Sequence, residues 1–246
     1  MKIDEAKDAL TAWSRNGKFI AKTERSKNII MQALKLCKNP YVSFSCGKDS
    51  SVLAHLVLDI KKDVPLRFLS SGETRLVHNV DRIIEHFKDK GAVIHEINID
   101  RVFSPEWKDA TWTEQRKAGR GDLEKLNEGG YDCVFMGLRK EESRNRQISL
   151  NALKTEGFPP YTYRYKSGLI RCCPLAEWTT IDVAAYIASK GLPVLDWYEY
   201  EGIEGRTTAR LTGDAVRQNV LIYLKQKDPG SFNKLVARFP EFGLYI

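Results

Sequence analysis

The sequence predicts an α/β protein: a parallel, twisted sheet with helices on both faces, Rossmann-like, with a small C-terminal helical extension. Short strand-like runs alternate with helix-length amphipathic segments, the pattern of parallel strands joined by crossover helices. One such run, "YVSFS" (41–45), passes through Cys46-Gly47-Lys48-Asp49 directly into apolar residues at helical spacing. The length of 246 residues, 42% of them hydrophobic, suffices for one substantial core.

In chain order, residues 3–15 and 23–38 show helical spacing. In the second, Ile29, Ile30, Ala33, Leu34 and Leu36 form an apolar stripe that Asn39-Pro40 is expected to end. "YVSFS" follows as the first strand, and residues 49–60 read as a helix on Val52, Leu53, Leu56, Val57 and Ile60. "PLRFLSS" (65–71) is the second strand, 75–90 the next helix and "AVIHEINI" (92–99) the third strand. From Phe103 to Gly130 the periodicity fades into a polar stretch, read as a loop or a short surface helix. "CVFMGL" (133–138) is a further buried strand, and "RKEESRNRQISLNAL" combines dense charge with a helical pattern. "YTYRYKSGLIRCCPL" (161–175) alternates around Ser167-Gly168 as a hairpin does. "TTIDVAAYIASKG" (179–191) has helical spacing, with Thr179 or Thr180 as N-cap and Gly191 as the stop. Residues 212–227 and 231–238 read as terminal helices. The expected organisation is N-terminal helices over 1–39, the α/β domain over 40–205, and a helical segment over 206–246 packed on the same domain.

The formal net charge is +7, from 39 Lys+Arg against 32 Asp+Glu. That suits a nucleotide, a nucleic acid or phosphate, and equally a surface that is simply basic. No apolar run approaches the ~20 residues a membrane helix needs, and "MKIDEAKDAL" lacks the apolar core of a signal peptide. The odd count of five cysteines fits a reducing compartment better than a disulfide framework. The expectation is a cytoplasmic protein with no membrane partner.

A loop leaving a parallel strand and entering a helix lies at the carboxyl edge of the sheet, where α/β proteins bind ligands. The first N–H groups of that helix have no intrahelical acceptor and can cradle a phosphate. Ser45, Ser50 and Ser51 add hydroxyls, Gly47 permits close approach of the backbone, and Lys48 adds positive charge from an exposed turn. Asp49 cannot favour a phosphate by itself, so it is expected to orient the loop or hold Mg²⁺. The spacing is not that of a Walker A motif. A tight turn with capping serines explains the glycine and a serine, but not Lys48-Asp49 together. Cys46, at a helix N-terminus beside Lys48, is expected to have a lowered pKa and to be reactive, or merely to replace a glycine.

"SFSCGKDSSVL" resembles the pyrophosphatase (PP) loop of the adenine nucleotide alpha hydrolases. "FLSSGETR" (68–75), "MGLRKEESRNR" (136–146) and "CPLAEWTTIDVAAYIASKGLPVLDWYEYEG" (173–202) are similar to segments of one branch, the phosphoadenylyl-sulfate (PAPS) reductase-like family. The resemblance covers roughly 40–205 and implies ATP, or an adenylyl sulfate, placed against the first loop. Two departures stand out. Cys46 replaces the loop's second-position glycine, and this sequence has no cysteine after Cys173, where such reductases carry their nucleophile.

The expected nucleotide-binding set is Ser43, Ser45, Cys46, Gly47, Ser50 and Ser51 from the first loop, Ser71, Gly72, Glu73 and Thr74 from the second, and Gly137 and Arg144 from the third. The GETR turn reads equally well as a helix start capped by Thr74. Lys48, Asp49 and Arg139 are the expected catalytic residues, with Asp49 also the Mg²⁺ ligand. Arg139 emerges at the same sheet edge and can grip phosphate through its forked donors, whereas Arg146 reads as a solvated charge. Cys172-Cys173, with Cys46 and Cys133, lack a Cys-x-x-Cys pair, so an iron–sulfur cluster is not expected. Tyr161, Tyr163 and Tyr165, interleaved with Arg164 and Lys166, suit either nucleic-acid stacking or a half-buried hairpin. The expected activity is that of an ATP pyrophosphatase adenylylating an acceptor for sulfur chemistry, DNA phosphorothioation included. The implied partners are an adenine nucleotide, a nucleic acid and a cysteine desulfurase as sulfur donor. The alternatives are a PAPS or adenylyl-sulfate reductase and a nucleotide-binding subunit without turnover.

Overall fold

Strand β1 (Pro40–Phe44) lies inside a six-stranded sheet of order β3-β2-β1-β4-β6-β5, formed with β2 (Leu66–Ser70), β3 (Ile94–Asn98), β4 (Cys133–Phe135), β5 (Thr162–Arg164) and β6 (Ile170–Cys172). The computed structural model describes residues 1–71, 75, 79–99, 113, 121, 124–205, 214–238 and 240–246. All strand pairs are parallel except β5 with β6. The hairpin around Ser167-Gly168 therefore forms as expected, and its second strand also extends the main sheet alongside β4.

Strands β1, β2 and β4 are buried along nearly their whole length, as expected where helices cover both faces of a parallel sheet. Side chains alternate between those faces. Val42, Phe44, Leu66, Phe68, Cys133, Phe135, Ile170 and Cys172 enter the main apolar cluster, while Tyr41 and Val134 join a second one with Leu126. Cys173 turns away from Cys172 into a third cluster with Leu150 and Ala176. At the edge, β3 is largely exposed.

Helices α1 (Lys7–Ser14) and α2 (Gly17–Leu34) precede the sheet. Helix α2 begins before the apolar stripe, because the Asn16 side chain accepts a hydrogen bond from the Lys18 N–H at 2.8 Å and caps the helix. It ends at Leu34, short of Asn39-Pro40, and Pro40 instead opens β1. Helix α3 (Lys48–Ile60) follows β1, and α4 (Val80–Asp89) buries Val80, Ile83, Ile84 and Phe87 on one face. "RKEESRNRQISLNAL" divides at Ser143 into a 3₁₀ turn (Lys140–Glu142) and α5 (Arg144–Ala152), since the Ser143 hydroxyl accepts from the Arg146 N–H at 3.2 Å. Helix α6 (Thr180–Lys190) starts on a capping box between Thr179 and Asp182 and stops at Gly191, whose φ of 60° is left-handed. Helix α7 (Asp196–Glu201) is not foreshadowed by any periodicity. Helices α8 (Asp214–Lys227) and α9 (Pro229–Arg238) complete the chain with a 3₁₀ turn (Pro240–Tyr245). Leu221, Leu224 and Leu235 from α8 and α9 belong to the same apolar cluster as the sheet, as do Leu10 and Phe19 from α1 and α2. Among the described residues no helix is long and apolar enough to cross a membrane.

Candidate functional site

The chain runs from β1 outward to β2 and β3, then returns to place β4 on the other side of β1. Between the carboxyl ends of β1 and β4 the crossovers diverge, and in open α/β sheets ligands bind in the crevice this leaves. A cleft of about 690 Å³ opens there. Ser43, Ser45, Gly47, Lys48, Asp49 and Ser50 line it from the β1 loop, and Met136 to Arg139 from the end of β4, with Tyr198 and Glu204 also in the lining.

The first loop is tied onto the helix it enters. Ser50 Oγ donates to the Gly47 carbonyl at 2.9 Å and accepts from the Ser45 N–H at 3.2 Å. The Ser51 N–H donates to the same carbonyl, starting the α3 ladder, while Ser51 Oγ is buried away from the cleft. Gly47, the N-cap of α3, offers no side chain to cap the first turn. On the β4 side, a Cβ on Gly137 would lie 3.0 Å from the Asp49 carbonyl carbon and oxygen and 3.2 Å from the Ser50 nitrogen. Gly137 thus lets β4 abut the first turn of α3.

Of its two expected readings, Cys46 fits the one in which it replaces a glycine. Its φ is 58°, the left-handed region that favours glycine. That backbone turns the side chain into the main apolar cluster, with 1% exposure. Burial pushes its thiol pKa up despite the Arg75 charge, so it is not the reactive low-pKa thiol its sequence position suggests.

Lys48 is also not exposed; it is 7% accessible. Its Nζ donates to the Gly205 carbonyl at 3.3 Å, lies 3.7 Å from Asp49 Oδ2 and sits 4.8 Å from the centre of the Tyr198 ring. Burial lowers its pKa, with Asp49 opposing. Arg139 is 3% exposed. Its Nε donates to Asp49 Oδ1 at 2.6 Å, and Nη1 to Glu141 Oε2 at 2.7 Å and to the Trp178 carbonyl at 3.3 Å. Nη2 donates to Thr180 Oγ1 at 3.3 Å. Burial works against its charge, but Asp49 and Glu141 raise its pKa overall. Glu141 in turn accepts from the Thr180 N–H at 2.6 Å, joining the start of α6 to the loop. Arg139 therefore lines the cleft while its donors are engaged on Asp49, Glu141, the Trp178 carbonyl and Thr180.

Arg146 lines the cleft, 3.5 Å from Glu142, whereas Arg144, the residue expected there, is exposed outside the lining. Ser71 lies at the end of β2, its carbonyl accepting from the Arg75 N–H at 3.2 Å. Gly72, Glu73 and Thr74 lie outside the described residues, as do Arg206 and Arg210. The hairpin tyrosines are engaged internally: Tyr163 is buried, and Arg171 donates to the hydroxyls of Tyr163 and Tyr165 at 2.7 and 3.1 Å.

Sequence reasoning missed Glu141, Glu142, Thr180, Tyr198 and Glu204 as lining residues. The first two had a signal, since they directly follow Arg139-Lys140 at a strand exit. Asp49 and Glu142 line the same cleft, and burial, then the Asp49 charge, raise the Glu142 pKa. Among the described residues no group of three or more His, Cys, Asp or Glu side chains could hold a metal. One or two carboxylates plus substrate phosphates is the usual Mg²⁺ arrangement, so Asp49 and Glu142 fit a Mg²⁺ shared with a nucleotide and not a cage of protein ligands.

Residues 39–204 match the family described as phosphoadenosine phosphosulfate reductase domain. The chain is 26% identical over 251 residues to sulfate adenylyltransferase subunit 2 of Ectopseudomonas mendocina, covering 89% of this chain and 79% of that one. It is 28% identical over 195 residues to sulfate adenylyltransferase subunit 2 of Trichlorobacter lovleyi, covering 70% of this chain and 64% of that one. The phosphoadenylyl-sulfate reductase of Candida auris, solved as a phosphate complex, superposes with a TM-score of 0.50 over 81% of this chain and 90% of that one. At 16% identity that likeness speaks to the fold.

Proposed function

This chain belongs to the phosphoadenosine phosphosulfate reductase domain family, and from that premise we propose that it is an ATP pyrophosphatase of sulfur activation. An oxygen of an acceptor attacks the α-phosphorus of ATP; the bond from that phosphorus to the bridging oxygen breaks, and pyrophosphate leaves. The observation that carries this reading is the amino terminus of α3, which Gly47 leaves without a side-chain cap of its own, at a cleft on the topological switch point. The N–H groups of that turn are suited to hold phosphate oxygens, with Ser45 and Ser50 shaping the loop.

The charges of the cleft favour a metal-bearing nucleotide. Lys48, Arg139 and Arg146 are each close to a carboxylate, and Glu141, Glu142 and Glu204 also line it. A bare polyanion such as an adenylyl sulfate meets little uncompensated positive charge there, whereas Mg²⁺ on the phosphates complements Asp49 and Glu142. A thiol reductase reading lacks its nucleophile in the described lining, since Cys46 faces the core. The name of the relatives supports sulfate as the first acceptor to test and a partner subunit as part of the working assembly. A DNA oxygen, with a cysteine desulfurase as sulfur donor, is the second.

The test is incubation with alpha-labelled ATP and Mg²⁺, with sulfate or with DNA, following label and pyrophosphate together. Equal yields of pyrophosphate and adenylylated product are expected, abolished by Asp49→Asn. Sulfite release from PAPS with a dithiol reductant, without pyrophosphate from ATP, would replace this reading by the reductase one.

A further inference from the structure

The amino terminus of α3 carries its own occupant. The Lys48 N–H, first donor of the helix, points at the Tyr198 hydroxyl of α7 at 3.4 Å. The Lys48 ammonium, from a residue of the cleft lining, is held at 3.3 Å on the Gly205 carbonyl and lies over the Tyr198 ring. Both contacts come from one continuous segment, 196–205, which contributes Tyr198 and Glu204 to the cleft lining. That segment is pinned from behind. Ile203 is fully buried and its N–H donates to the Met1 carbonyl at 2.8 Å, while a Cβ on Gly205 would stand 3.0 Å from Glu201 Cβ and 3.1 Å from the Gly202 carbonyl oxygen.

We propose that Tyr198 and the Gly205 carbonyl form a latch that fills the anion seat of this site in the free protein, and that a ligand's phosphate oxygen replaces the Tyr198 hydroxyl when it binds. The inference rests on the reading of the cleft as a nucleotide site. A phenol oxygen is a neutral acceptor at a donor that favours a charged one, and 3.4 Å is long for a hydrogen bond. A phosphate oxygen is the stronger acceptor, so exchange runs toward the ligand. Lys48 is released with it: segment 196–205 stays pinned, and the ammonium swings off the Gly205 carbonyl by rotation of its own side chain and turns to the phosphates. The latch weakens binding by the strength of the contacts it must give up, and it keeps a buried lysine partnered while the site is empty.

The experiment compares wild type with Tyr198→Phe, which keeps the ring under Lys48 and removes only the hydroxyl. Calorimetric titration with inorganic phosphate, and with ATP plus Mg²⁺, is expected to give roughly two- to five-fold tighter binding in the variant, the low range for one modest hydrogen bond. Hydrogen exchange at the Lys48 amide is expected to be faster by a similar factor in the ligand-free variant, and equal in the two proteins once phosphate is bound. Unchanged or weaker binding by a folded Tyr198→Phe overturns the latch, because the hydroxyl is then a bystander or a ligand contact. ATP binding equal in the two proteins overturns this inference alone, whereas no binding of ATP or phosphate by either overturns the nucleotide reading with it.

Discussion

Replacing Arg139 separates a residue that acts on substrate from one that builds the site. Arg139→Ala removes a guanidinium that is 4% exposed and joins Asp49, Glu141, Thr180 and the Trp178 carbonyl. Breaking a buried ion pair costs about 3–5 kcal/mol, because the remaining charge stays desolvated. Here Asp49 is 19% exposed and Glu141 48% exposed, so Glu141 regains water easily and its share is discounted. The expected loss is therefore about 3 kcal/mol, a large fraction of the ~5–15 kcal/mol that holds a domain together. Arg139→Lys keeps one charged contact to Asp49 but cannot span the other three partners, and about 1–2 kcal/mol is expected to be lost. Urea unfolding with an unchanged m-value measures both. Combined with Asp49→Asn, the Arg139→Ala loss should fall well short of the sum of the single losses, since the two groups share one interaction. Two variants within about 1 kcal/mol of wild type, yet without turnover, would refute this structural role and return Arg139 to the phosphates.

The cysteines should react in an order set by burial. At pH 8 an aromatic disulfide reagent is expected to label Cys37 first, because it is only half-buried and a hydrogen bond with Cys133 lowers its pKa, while burial raises Cys46 and Cys172. Peptide mapping that finds native Cys46 labelled as fast as Cys37 would contradict its place in the core. Glu142 makes the stability depend on pH. Burial, and then Asp49, raise its folded pKa above the ordinary 4.5, so the folded state binds its proton more tightly than the unfolded chain does. Its contribution to stability is thus present below 4.5 and lost as pH rises through the folded pKa. Glu142→Gln cannot ionise, so relative to wild type it should be more stable at pH 7 than at pH 4. Denaturation midpoints showing the reverse order would mean that Arg146 outweighs the burial.

The strands, the loop and the helix after it were legible because each rests on local chemistry: alternation in β1, apolar spacing in α3, a threonine cap at 179 or 180, which the fold resolves to Thr179. Gly137 was legible only as a strand exit; its closeness to the Asp49 and Ser50 backbone is a fact of β4 pairing with β1. Tyr198 had no local signal, because α7 is only six residues long. Its position depends on the buried Ile203 behind it and on Met1 some two hundred residues away. Cys46 shows how a correct local premise leaves two readings between which only the fold decides. The residue does stand at a helix N-terminus beside a lysine, and that environment lowers thiol pKa values. But the strand must turn sharply to present the N–H groups of α3 to the cleft, and the turn requires a left-handed backbone at position 46. In that conformation the side chain points backward into Phe44 and Val52's cluster, so the same bend that starts α3 at the cleft hides the thiol. The loop's usual glycine would meet the backbone demand with no side chain to bury. Cysteine meets it as a small, apolar, neutral group, which is why a substitution that looked chemical in the sequence is conformational in the fold.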